Sequence, residues 1–369
     1  MSQRAPAQAT LTPRPSSPAP SYNPPSSYIS RIDDDNNHND VASIVGPDPD
    51  TLGVDVRDDG RVDVNCHVPL GRRLSRLLDS QKSILHSSNP QRSDRTGPPP
   101  PRLNIVIQVA GSRGDAQPFV ALGCALQRDH NHRVRIATHS VFEDFVRFAG
   151  LEFYPLGGDP AELMAYIVKN PGLIPSFASV KAGDIGRKRD MLGEMLEGCW
   201  KSCIERDQRT QAPFVADAII ANPPSMGHVH CAQALSIPLH IMFTMPWSTT
   251  RSFSHPLANL KVSAETNIRV ANSLSFGIVE FMMWQGYVCR REPFLTVNAR
   301  LLTPHFSTGD LVNRWRTRTL DLEPVTDADG PKLVERLAIP HTYCWSPALV
   351  PRPDDWPSYI GMREMPEAS

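Results

Sequence analysis

The chain has 369 residues, with 38 Lys and Arg against 39 Asp and Glu and a formal net charge of −1. That length allows about two domains, and the balanced charge gives no electrostatic case for nucleic acid or an anionic lipid surface as partner. The seven cysteines are scattered and odd in number, and no apolar run reaches the ~18–20 residues a bilayer span needs. The expectation is therefore free thiols, no metal site, no transmembrane segment and a cytoplasmic protein.

Residues 1–56 are rich in Pro, Ser, Asn and Asp and lack the hydrophobic core of a signal peptide. Such a composition cannot bury enough apolar area to offset the entropy of ordering it, so a disordered leader is expected. Residues 57–101 carry a short alternating strand from Gly60 to His67. An amphipathic helix from Leu70 to Leu85 follows, with leucines at 70, 74, 77 and 78, and then a linker ending in four prolines.

The folded domain is expected over 102–346. It opens on Leu103 to Pro118, LNIVIQVAGSRGDAQP. The apolar run of Ile and Val reads as a strand buried on both faces of a parallel sheet. The glycine-bearing turn Gly111 to Asp115 ends it, Pro118 is placed in a first helical turn, and Phe119, Leu122 and Leu126 continue at helical spacing.

Strands and helices then alternate. Arg133 to Thr138, Leu151 to Leu156, Asp217 to Ala221, Leu239 to Thr244 and His341 to Trp345 read as strands. The helices expected between them are His139 to Gly150, a Pro-broken region reaching Pro175, Asp184 to Arg209 and Met226 to Leu235. Further on come one that is apolar almost all round from Phe276 to Trp284, part of Val297 to Arg318, and Pro331 to Leu337. The pattern predicts an α/β fold, a parallel sheet with flanking helices and right-handed crossovers. Residues 347–369 are Pro-rich at first and read as linker.

The turn after the first strand lacks the glycine spacing of a dinucleotide fold and the Gly-Lys-Ser/Thr of a P-loop. It reads GSRGDAQPF, which resembles GTRGDVQPF, the opening motif of the family 28 glycosyltransferase N-terminal domain as found in sterol glucosyltransferases. Segments Arg133 to His139, Leu151 to Pro160, Ile237 to Trp247, His255-Pro256-Leu257 and Thr342 to Pro357 resemble the fungal members of that family. The resemblance implies the N-terminal half of a GT-B architecture, in which two Rossmann-like domains face across a cleft. The first would hold a sterol or other lipid acceptor and the second UDP-glucose.

On that resemblance residues 347–369 are expected to be a remnant of the inter-domain linker, with Ile360 to Ser369 departing from the family's continuation, so the expectation is the acceptor-side half alone. On this reading the chain has no cofactor, and UDP-glucose is a co-substrate only where a partner chain supplies the donor domain. Contact with a membrane would be peripheral. Two alternatives to an enzyme stay open at this point, a lipid-binding module and an inactive fragment.

Transfer of a sugar to a hydroxyl needs a base to take the hydroxyl proton. The resemblance places it at or near Asp115; the bland reading is that Asp115 caps the following helix. Arg113 would fix that carboxylate or meet a phosphate, or else be a surface turn residue. Ser112 would donate to a ligand oxygen, or be a plain turn hydroxyl. His139 ends the second strand and would face the same crevice, or stand as a solvated edge histidine. Met245 and Trp247, after the strand from Leu239, would wall a flat apolar acceptor, with Phe253 and His255 extending that wall; core packing explains Met245 and Trp247 as well. Two residues apart, His228 and His230 point to different helix faces and are not expected to share a metal.

Overall fold

The computed structural model describes residues 53–56, 62–65, 101–162, 184–261, 267–285 and 307–363. The leader up to residue 52, the helix expected over 70–85, the proline linker before 101 and the Pro-broken helical region lie outside the described residues. So do the expected helical stretches over 286–290 and 297–306.

Ten strands are described: β1 (Gly53–Val56), β2 (Val62–Asn65), β3 (Asn104–Gln108), β4 (Arg133–Thr138), β5 (Glu152–Pro155), β6 (Ala218–Ala221), β7 (Leu239–Phe243), β8 (Ala258–Lys261), β9 (His341–Tyr343) and β10 (Ile360–Met362). Seven of them form one sheet in the order β10-β9-β7-β6-β3-β4-β5, and every neighbouring pair is parallel. The predicted α/β fold with a parallel sheet is therefore what forms. The helices are α1 (Arg113–His130), α2 (Glu143–Phe148), α3 (Asp184–Ile204), α4 (His228–Leu235), α5 (Ile268–Gln285), α6 (Thr308–Thr319) and α7 (Leu333–Arg336).

The pleat of β3 divides the core. Ile105 and Ile107 face one layer with Phe119 and Val120 of α1, Val134, Ile136 and Phe153. Val106 faces the opposite layer with Leu196 and Cys199 of α3, Ile219, Val229 and Trp315. Burial on both faces is why β3 reads as an unbroken apolar run. β4 carries an exception, because Arg135 is fully buried. Its guanidinium donates to the carbonyls of Ser202 (2.9 Å) and Glu205 (2.7 Å) and lies 3.7 Å from the Phe214 ring centre. Those bonds, with the Glu152 carboxylate 3.3 Å from Nη2, partner the terminal nitrogens of the cation, while its Nε has no partner among the described residues.

Several expectations need correction. The leader was expected to run to residue 56, yet Gly53–Val56 pairs antiparallel with Val62–Asn65, and β2 pairs parallel with β8. β10, within the expected linker 347–369, adds to the sheet beside β9, with Trp356 and Ile360 buried. β1 gains its bonds from the neighbouring β2, the strand expected from Gly60 to His67, and β10 from β9 further back; each is too short for its local pattern to announce it. α1 begins at Arg113 with Ser112 as N-cap, so Pro118 lies inside the helix rather than in its first turn. α3 stops at Ile204, before Arg209, where the Asp207 carboxylate takes the N–H groups of Arg209 and Thr210 (3.1 and 2.6 Å) in a turn.

The chain runs outward from β3 through β4 to β5, then returns to place β6 on the other flank of β3. That reversal is a switch point, and the crevice beyond the carboxyl ends of β3 and β6 is where an open α/β sheet binds ligands.

Candidate functional site

The exits of β3 and β6 are tied together at this switch point. Asn222, just after β6, donates its amide to the Ala110 carbonyl (2.8 Å) and accepts the Ala110 N–H (3.1 Å). The chain then turns at Gly111, with φ of +140°. A Cβ there would meet the Asp115 carboxyl, 2.8 Å from its Cγ, so this glycine is required for space as well as for backbone conformation.

Ser112 and Asp115 form a capping box at the start of α1. The Asp115 Oδ2 accepts the Ser112 N–H (2.8 Å) and the Ser112 hydroxyl (2.9 Å). Asp115 and Ser112 are half-buried at the mouth of the switch point. Arg113 is exposed, and its guanidinium lies over the Phe145 ring at 4.8 Å.

His139, for which the sequence left open a place facing the crevice or a solvated edge, is fully buried. Its Nε2 accepts the Gly111 N–H (3.1 Å), and its Nδ1 faces the carbonyls of Gly157 (2.9 Å) and Gly158 (3.1 Å). An amide can only donate and a carbonyl can only accept, so the proton sits on Nδ1. With both nitrogens engaged, His139 holds the Gly111 turn against the loop after β5.

Met245, Trp247, Phe253 and His255 gather elsewhere on the same edge, beyond β7 and β9. At strand spacing β7 lies about 10 Å from β3, with β6 between them. Trp247 packs on Phe243 (5.7 Å) and His255 (4.5 Å); His255 packs on Phe276 (5.1 Å), and Phe253 on Phe276 (6.5 Å) and Trp356 (6.3 Å). Trp247 and Phe253 are half-buried and Met245 is 43% exposed, whereas His255 is fully buried. The His255 Nδ1 accepts the Leu257 N–H at 3.1 Å. Burial drives its pKa down to about 4, so the ring is neutral at pH 7. The Tyr343 hydroxyl accepts the N–H groups of Trp247 (3.1 Å) and Ser248 (2.6 Å), fixing the start of this loop to β9. Burial pushes that phenol up to about 12.

The remaining histidines serve the core. His228 bonds the Ser225 hydroxyl (3.0 Å), and His230 meets the Arg316 guanidinium (2.7 Å). Burial lowers both to about 3, with the Arg316 charge adding to the shift at His230. Cys199, Cys203 and Cys231 are buried free thiols. Among the described residues no group of three or more His, Cys, Asp or Glu is arranged to hold a metal, and no helix is long and apolar enough to cross a membrane.

Residues 105–254 match the glycosyltransferase family 28 N-terminal domain. The chain contains a family 28 N-terminal domain. It is 41% identical over 309 residues to sterol 3-beta-glucosyltransferase UGT80B1 of Arabidopsis thaliana, covering 82% of this chain and 44% of that protein. It is 43% identical over 256 residues to sterol 3-beta-glucosyltransferase UGT80A2 of the same plant (69% and 35% covered). With a sterol 3-beta-glucosyltransferase of Yarrowia lipolytica the identity is 33% over 264 residues (71% and 15%). The chain thus spans less than half the length of these relatives. Among solved structures, the glycotransferase of kitacinnamycin is similar at 14% identity and a TM-score of 0.41, over 71% of this chain and 51% of that one.

The matched region covers the exits of β3, β4, β6 and β7, and so the expected site residues from Ser112 to Phe253; His255 lies just beyond it. Sequence reasoning missed Asn222 and Tyr343. Asn222 stands in an Asn-Pro-Pro-Ser stretch that reads as an ordinary exit turn. Its placement beside Ala110 depends on the strand order, which local pattern does not give. Tyr343 meets the Trp247 loop from a position far along the chain.

Proposed function

We propose that this chain supplies the acceptor side of a UDP-glucose-dependent sterol glucosyltransferase, with Asp115 as the base. The observation that carries this reading is the Asp115 carboxyl at the carboxyl end of β3, beside the switch point, inside a family 28 domain. The Arabidopsis and Yarrowia relatives are sterol 3-beta-glucosyltransferases, which supports the substrate class. Asp115 takes the sterol hydroxyl proton as its oxygen attacks the anomeric carbon; the bond to UDP breaks and the diphosphate leaves with the electron pair. The two bonds from Ser112 hold Oδ2 in a fixed direction. Met245, Trp247 and Phe253 form an apolar wall for the sterol body, while His139 and His255 shape the site from behind. Arg113 stands exposed at its rim. UDP-glucose is the co-substrate, and a donor domain in the same or a partner chain holds it.

A second reading, binding without transfer, is favoured by one observation: Asp115 is already engaged as a helix cap. Asp115→Asn separates the two, because Asn keeps an acceptor oxygen for the cap and cannot take a proton. The assay measures steryl glucoside formed from UDP-glucose, by the chain and by its fusion to the C-terminal part of the Arabidopsis relative. Turnover reduced at least about 100-fold with unchanged sterol affinity is the expected result. Undiminished turnover removes Asp115 as base, and sterol binding with no turnover by either protein favours the second reading.

A further inference from the structure

The loop from Met245 to His255 is anchored at its start by elements of the sheet domain. The Tyr343 hydroxyl takes the N–H groups of Trp247 and Ser248. Asp355, between β9 and β10, accepts the Arg251 N–H (2.7 Å) and the Thr250 hydroxyl (2.6 Å). The exit of the loop is held differently. The Ser275 hydroxyl of α5 accepts the His255 N–H (2.8 Å). The Ala258 N–H then closes a turn on the His255 carbonyl (2.9 Å), and Ala258 is the first residue of β8.

β8 has no place in the seven-stranded sheet; among the described residues its strand neighbour is β2. The pairing is parallel, with Val62 opposite Ala258 and Val64 opposite Leu260, and β1 covers the other edge of β2. Both strands of that hairpin precede residue 105, where the family 28 match begins, and β8 follows residue 254, where it ends. The loop therefore leaves the matched domain and runs straight into a sheet whose other two strands come from the chain ahead of that domain. A two-stranded hairpin is marginal in water, and a third strand is what makes such a sheet persist. The hairpin thus depends on β8 as its third strand, and β8 depends on the hairpin for its ladder.

We propose that the β1–β2 hairpin positions the acceptor loop, so that docking of the hairpin on β8 and binding of a sterol favour one another. The proposal rests on the acceptor reading of that loop. It gives the hairpin no contact with the sterol; its effect passes through β8 and the turn between His255 and Ala258. Such coupling is reciprocal: whatever the docked hairpin adds to sterol affinity, the bound sterol adds to hairpin docking.

The test is amide exchange by mass spectrometry on the full chain with and without saturating dehydroergosterol, joined to equilibrium binding of that fluorescent sterol. In the parent, the sterol is expected to slow exchange in β1 and β2 as well as in the loop. Slowed exchange in the loop with none in β1 and β2 overturns the coupling and leaves the acceptor reading standing. Successive N–H groups of a strand point to opposite neighbours, so Asp63→Pro and Val64→Pro remove ladder bonds on opposite sides of β2. The double variant Asp63→Pro/Val64→Pro is expected to bind the sterol about tenfold more weakly, with faster exchange in β8 and unchanged exchange in β3 and β4. Affinity within about twofold of the parent, in a variant whose β2 amides exchange freely, overturns the proposal. Should the double variant fold poorly, the exchange pattern of the parent decides alone. A parent chain that shows no saturable sterol binding overturns both the proposal and the acceptor reading.

Discussion

The side chain of Asn222 closes two hydrogen bonds on the backbone of Ala110, 112 residues earlier, donating at 2.8 Å and accepting at 3.1 Å. Both groups are buried, so neither has water as an alternative partner. Asn222→Asp keeps the accepting oxygen and loses the donor, leaving the Ala110 carbonyl unpaired. The expected cost is about 1–3 kcal/mol in urea denaturation, with a matching loss of order in the Gly111 turn by amide exchange. An unchanged midpoint would show that the clasp carries no stability.

Gly111 combines φ of +140° with a Cβ position that the Asp115 carboxyl already occupies. Gly111→Ala must both strain the turn and displace Asp115 from its cap. The expected loss is about 1–3 kcal/mol, together with loss of any activity that depends on Asp115. A variant as stable as the parent would contradict the turn geometry.

Acid lability follows from the buried histidines. His228 and His230 are lowered to about 3, and His255 and His341 to about 4, burial being the main cause in each. Their folded values lie below the unfolded value of about 6.5. The unfolded chain therefore binds more protons between these limits, and stability present above pH 6.5 is lost as pH falls towards 4. Glu280 and Glu335, both raised, act in the opposite sense but are fewer. The net slope below pH 6.5 is on the order of 2 kcal/mol per pH unit. Urea midpoints at pH 7.5 and 5.0 check this; equal midpoints would contradict it.

Burial also raises the thiols of Cys199 and Cys231, and Cys203 is packed with them. Iodoacetamide on the native chain is expected to leave peptides bearing Cys199, Cys203 and Cys231 unmodified, and to label all three once urea unfolds it. Labelling at native rates comparable to free cysteine would show that the α3–α4 layer opens.

The strand, turn and helix around Gly111 were legible because their signals are local: an apolar β-branched run, a glycine turn and helical spacing. β4 was readable to the residue for the same reason. β1, β8 and β10 were not, since each is only three or four residues long, and β8 gains its hydrogen bonds from a strand nearly two hundred residues away. The site divides along the same line. Asp115 and Trp247 are singled out as candidates by motif and by position after a strand. The role of His139 was not, because its partners Gly111 and Gly157 lie on two other loops. Nor was the bond from the Tyr343 hydroxyl to the Trp247 N–H, which only the pairing of β9 beside β7 creates.

The central claim is that the carboxyl edge of this sheet receives a sterol in reach of Asp115. The most direct measurement is amide exchange by mass spectrometry on the chain with and without a saturating sterol. The account predicts slowed exchange in both the Gly111–Asp115 turn and the loop from Met245 to His255, retained in Asp115→Asn. Sterol that binds saturably yet leaves both segments unchanged would contradict it.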